Sequence, residues 1–172
     1  MVGGSFAGSY YGFARNTQDA DFIVLMKHED VDGFVDAFSQ GFYLDRGTIE
    51  DSLRRCTSFN IIHFQSSFKV DFFMLRPESF HQKSFSRRQS TRLDPQQQAE
   101  TLLQTAEDTV LAKLDWYRQG GEVSELQWRD VVGILKVQAG RLDLKYLEHW
   151  ARELGVYDLF SRALDDAGAS QK

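Results

Sequence analysis

The stretch SFNIIHFQSSFKVDFFML, Ser58 to Leu75, limits the fold more than any other part of the chain. Two apolar runs flank the short polar link Gln65-Ser66-Ser67, the pattern of two strands joined by a turn. The second run carries Asp71 between Val70 and Phe72-Phe73. A carboxylate set in an apolar strand is costly unless a cation or hydrogen-bond donors offset it. The chain must therefore build a sheet and bring something positive to one residue of it.

A further strand is expected at Asp19–Met26 (DADFIVLM), closed by Lys27-His28-Glu29-Asp30. Strand side chains alternate, so Asp19 and Asp21 share a face and Ala20 takes the other. Two carboxylates held this close repel one another. Mg2+ (or Mn2+), small and hard, prefers oxygen ligands and would offset both, and the same centre would satisfy Asp71. Upstream stand Gly3-Gly4-Ser5 and an expected short helix, Phe6 to Phe13. Glycines let a backbone approach a bulky anion, a helix start offers free N–H groups, and the Ser5 hydroxyl adds a donor. A phosphate cradle beside three carboxylates holds the parts for metal-assisted phosphoryl or nucleotidyl transfer. Singly, Asp-x-Asp and Gly-Gly-Ser are ordinary turn chemistry. Their combination with Asp71 is what points to a site.

Short strands and helices alternate through the first half. Val2 to Ser5 reads as a strand stub, and Val31, Phe34, Val35 and Phe38 form a helical stripe over Val31–Gln40 that Gly41 ends. Ile49–Arg55 reads as another short helix. From Arg76 to Gln98, with Pro77, Pro95, several basic residues and a Gln run, a connector that is helical at most in part is expected. The rest reads as helices. Val110, Leu111, Leu114 and Tyr117 share one face before Gly120-Gly121, Ser124 to Gln127 resembles a capping box, and Asp143 can cap a helix running through Leu154. Gly155 separates a fourth helix ending near Leu164, and the tail Gly168–Lys172 is expected to fray. The expected fold class is α+β: a small mixed sheet with flanking helices over residues 1–95, then a helical region over 96–172.

Composition narrows the function. Within 172 residues, 42% are hydrophobic and 14 are Phe, ample for a core. A net charge of −5 argues against a generic DNA-coating protein. The single Cys56 excludes an intrachain disulfide and a Cys-based zinc cluster and suits a reducing cytoplasm. No apolar stretch approaches membrane-spanning length. A kinase reading lacks both the Walker loop and a His-Arg-Asp motif.

Gly3-Gly4-Ser5, then Arg15-x-Thr17-x-Asp19-x-Asp21, then Asp71 resemble the nucleotidyltransferase superfamily, which shares its catalytic fold with DNA polymerase beta. FNIIHFQSSFKVDFFML and EDTVLAKLDWYRQGGEVSELQWRDVVGILK extend the likeness to stand-alone prokaryotic enzymes related to abortive-infection toxins, over nearly the whole chain. The resemblance implies that Asp19 and Asp21 hold divalent metals and that Asp71 completes the site for the attacking hydroxyl. Gly3, Gly4, Ser5, Arg15, Thr17 and Lys113 are the implied nucleotide and phosphate set, with Lys69 and Asp130 as additional candidates. Lys113 as a solvated helix residue and an Asp130–Arg129 surface pair are the plainer alternatives. Such relatives carry a helix and a full strand ahead of the glycine turn, whereas Met1 and Val2 precede it here, so a weakly anchored turn is expected.

The expected activity is metal-dependent transfer of an NMP from an NTP to a hydroxyl of a protein, a tRNA end or a small molecule, releasing pyrophosphate. The alternative is a catalytically silent module of the same fold, for example one component of a toxin–antitoxin pair, with the helices after Ala106 as the partner-protein surface. Arg76, Lys83, Arg87, Arg88 and Arg92 read first as a solvated loop and second as contacts to nucleotide phosphates or an RNA acceptor. Trp116, Trp128 and Trp150 read as packing residues, and His63 as a core histidine.

Overall fold

The computed structural model describes residues 1–93 and 99–168; Pro95, the Gln run and residues 169–172 lie outside the described residues. Strands β1 (Asp19–Val24), β2 (Phe42–Tyr43), β3 (Ser58–His63) and β4 (Lys69–Met74) make a mixed sheet in the order β1-β4-β3-β2. The β3–β4 pair is the expected hairpin, with Asn60 level with Asp71. Beside it β1 runs parallel to β4, and Asp21 stands level with Asp71. The class is α+β, a small mixed sheet followed by a helical region.

Alternation assigns the two faces of the sheet. Phe59 and Ile61 of β3 and Phe72 and Met74 of β4 are buried against Val31 of α2 (Val31–Phe38) and Ile49 of α3 (Arg46–Arg55). Phe34 sets its ring edge-on to both Phe59 and Phe72, so the expected stripe on α2 is the side that docks. A second core lies among α5 (Ala106–Gln119), α6 (Glu125–Val137), α7 (Leu144–Glu153) and α8 (Tyr157–Asp166). Val110, Leu111, Leu114 and Tyr117 of α5 are all buried in it, as their spacing predicts. Ser124 and Asp143 cap α6 and α7 by accepting from the backbone N–H groups of Gln127 and Tyr146.

The connector is helical in part, as expected, at α4 (Ser79–Ser86). Three expectations change. The connector also holds β5 (Gln89–Thr91), which pairs with an unforeseen β6 (Thr101–Leu103) in a stretch expected to be helical. Helix α4 forms because Phe80 inserts into the helical core, a tertiary contact with no local period to announce it. Helix α1 spans Gly4–Tyr11 and so starts at the glycine turn itself. The turn is also firmly anchored. The Val2 N–H donates to the Leu102 carbonyl at 2.7 Å, and the Val2 carbonyl accepts from the Gln104 N–H at 2.9 Å. On the other side the Ile23 N–H donates to the Met1 carbonyl, and the Gly3 N–H to the Asp21 carbonyl. Met1 to Gly3 thus lie between β1 and β6, and Val2 is buried with Ala7 and Leu103. Among the described residues, no helix is long and apolar enough to cross a membrane.

Close backbone approach fixes α1 against the helices. A Cβ on Gly12 would lie 3.0 Å from both the Gly8 carbonyl oxygen and the Ile134 nitrogen, backbone atoms that cannot swing away. Gly12→Ala is expected to destabilise by about 1–3 kcal/mol through overpacking. Gly33, in α2 with no atom within 4 Å of its would-be Cβ, is the counterpart. Gly33→Ala is expected to stabilise by roughly 0.5–1 kcal/mol from helix propensity. Urea denaturation of both variants checks the pair.

Candidate active site

The sheet face opposite Phe72 and Met74 carries Asp19 and Asp21 on β1 and Lys69 and Asp71 on β4. Each carboxylate has its own donor. Asp19 accepts from the Thr17 hydroxyl at 2.7 Å, Asp21 from the Ser5 backbone N–H at 3.4 Å, and Asp71 pairs with the Lys69 ammonium at 2.7 Å. The positive partner that the sequence demands for Asp71 is therefore the lysine two residues earlier. Burial raises the pKa of Asp21 above the usual carboxylate value, the nearby charges of Asp19 and Asp71 add to this, and the Ser5 N–H and Lys113 oppose it. The hydrogen bond to Asp71 raises that of Lys69.

The glycine turn has a role the sequence reading missed. Gly4 has φ +54°, and a Cβ there would lie 1.7 Å from Asp21 Oδ2. The anion packed on this glycine is the protein's own carboxylate. Only glycine allows both the left-handed backbone and that approach.

Behind the turn lies an ionic cluster. Lys113 and Asp130 are 6% and 7% exposed, and the lysine Nζ donates to Asp130 Oδ2 at 2.9 Å. Arg15 clasps the same carboxylate, Nε to Oδ1 and Nη2 to Oδ2, both at 3.2 Å. Arg15 Nη2 also donates to the Ser5 hydroxyl at 2.7 Å. Two cations on one carboxylate leave a net positive charge beside Ser5 and the start of α1. Neither plain alternative holds: Lys113 is not solvated, and Asp130 is buried away from a surface pairing. Gly8 makes room for the cluster, since a Cβ there would meet Lys113 Cε at 2.9 Å.

A cavity of about 400 Å³ opens between this sheet face and α5 and α6. Gly4, Ser5, Arg15, Asp21 and Lys113 stand on its wall. Gly3 and Asp130 support them through Asp21 and the two cations, whereas Asp19, held by the Thr17 hydroxyl, and Lys69 and Asp71 lie on the same sheet face outside the wall. Among the described residues no group of three or more His, Cys, Asp or Glu side chains stands ready to hold a metal ion. The donor chemistry fits a hard divalent cation all the same, with anionic oxygens on one face and two of them level across parallel strands. Drawing Asp71 to a shared cation requires releasing Lys69, whose side chain is 44% exposed.

Several other candidates resolve differently. Trp116 is 46% exposed on the cavity wall, so it is no core residue, while Trp128 and Trp150 do pack on the helical core. His63 hydrogen-bonds Ser66 in the hairpin turn. Arg87 is not a solvated loop residue: it bonds Glu107 and the buried Asp108 and lies over the Tyr146 ring.

The sequence matches no protein-family model and no curated protein. The site's geometry is therefore the ground for any functional reading.

Proposed function

We propose that the protein is a divalent-metal-dependent nucleotidyltransferase that moves an NMP from an NTP to a hydroxyl acceptor and releases pyrophosphate. The observation that carries the reading is Asp21 level with Asp71 on parallel strands, with Asp19 on the same face, beside the cationic wall of Ser5, Arg15 and Lys113. Asp19 and Asp21 would hold the metal, with Asp71 joining on release from Lys69. A bound divalent ion would supply charge neutralisation at the transferring phosphorus. The Ser5 hydroxyl, backed by Arg15 and Lys113, orients the phosphates. Asp71 orients the acceptor hydroxyl and takes its proton. The acceptor is a hydroxyl of a protein, an RNA or a small molecule.

The Lys69–Asp71 pair favours a second reading, a catalytically silent binding module such as a toxin–antitoxin component, because it occupies the third acid. Calorimetry with ATP, CTP, GTP and UTP, with and without Mg2+, tests the first reading. Magnesium-dependent binding is expected in the wild type, with affinity at least about tenfold weaker in Asp19→Ala. Equal binding by the variant would overturn the site assignment. Magnesium-dependent binding without pyrophosphate release, across protein and RNA acceptors, would favour the silent module.

A further inference from the structure

The cavity wall carries two unlike sets of side chains. One is Ser5, Arg15, Asp21 and Lys113; the other is Phe73, Trp116 and Leu126, with Trp116 three residues beyond Lys113 on α5. Trp116 and Leu126 are 46% and 48% exposed, and the Phe73 ring lies edge-on to the indole at 6.1 Å. Large apolar side chains left open to solvent inside a concave site are the usual lining of a small-molecule pocket. A volume of about 400 Å³ is in the range of such sites. On the same wall the Gln127 side-chain Oε1 is shielded from solvent and takes no hydrogen bond. A shielded acceptor left unpaired is unfavourable, so its amide gains by turning into the cavity towards an N–H.

Resting on the nucleotidyltransferase reading, we infer that Trp116 is the stacking platform for the nucleobase of the donor nucleotide and that Gln127 accepts a hydrogen bond from a base amino group. The occupant is the donor rather than the acceptor because the apolar and the cationic side chains line one cavity. Asp71, the residue assigned to the acceptor hydroxyl, stands outside this wall. With phosphates at Ser5, Arg15 and Lys113, the base is the part of an NTP left to meet the apolar side chains. An indole face suits any base, because every base has a π-face. The Gln127 carbonyl then adds preference for bases that carry an exocyclic amine.

Calorimetry in Mg2+ with inorganic tripolyphosphate, ATP and purine riboside triphosphate, which lacks only the amino group of ATP, separates the parts. ATP is expected to bind more tightly than tripolyphosphate. Trp116→Ala is expected to weaken ATP about tenfold and leave tripolyphosphate unchanged, while Trp116→Phe retains most of the affinity. Gln127→Leu is expected to erase the preference for ATP over purine riboside triphosphate. Equal affinity of ATP and tripolyphosphate for the wild type would overturn the base site while sparing the phosphate site. Loss of tripolyphosphate binding in Trp116→Ala would assign the residue a structural role and overturn the inference. Binding of neither ligand would remove the nucleotidyltransferase reading and the base site with it.

Discussion

Asp21→Asn is expected to lower the proposed nucleotidyl transfer at least about a thousandfold, since an amide cannot supply the charge that would hold the metal. The same variant is expected to be more stable than the wild type in EDTA. Burial and the charges of Asp19 and Asp71 raise the Asp21 pKa above its ordinary value of 3.8, so the folded state pays to keep this carboxylate ionised. The sign follows from proton linkage. Between 3.8 and the raised native value the folded state binds more protons than the unfolded state, so wild-type stability falls as pH rises through that window. Asparagine carries no such loss. Its advantage is present at neutral pH, fades as pH falls through that window, and is gone below the ordinary carboxylate value. Removing a carboxylate destabilised by burial in this way typically gains ~1 kcal/mol, roughly 2–4 °C in Tm for a chain of this size. Scanning calorimetry from acid to neutral pH in EDTA, beside an activity assay, checks both halves. A Tm lower than wild type at neutral pH would show that Asp21 is a net stabilising residue.

Asp130→Leu carries the largest expected stability cost. It strands Lys113, 6% exposed, and takes the bidentate partner from Arg15. Breaking a buried ion pair from one side typically costs about 3–5 kcal/mol, because the remaining charge has neither solvent nor partner. A Tm lower by roughly 10 °C is expected. The double variant Lys113→Met, Asp130→Leu is expected to regain most of that loss, since Arg15 is exposed enough to hydrate on its own. A denaturant double-mutant cycle measures the coupling. A single-variant cost below about 1 kcal/mol would mean that the cluster does not hold α1, α5 and α6 together.

Those predictions rest on different kinds of information, and the sequence held part of it. Alternation along DADFIV and KVDFFM was enough to put Asp19 with Asp21 on one face and to single out Asp71. The helical stripes of α2 and α5 and the caps at Ser124 and Asp143 were likewise legible, because period and capping act within a few residues. What is local in sequence was local in cause.

The rest depended on pairings between distant segments. Nothing near Lys113 or Asp130 says that they meet, or that Arg15 joins them across more than a hundred residues. The glycines of α1 and its C-cap gave no sign that their missing Cβ atoms leave room for Asp21, Lys113 and the backbone of α6. Strands β5 and β6, three residues each, owe their form to each other and to Val2. Trp116 looks like core by spacing and lines a cavity by position. Amino-acid order determined which side chains share a face, since that follows from backbone repeat alone. Tertiary structure decided which faces meet, because burial and charge pairing are settled only when remote elements exclude water together.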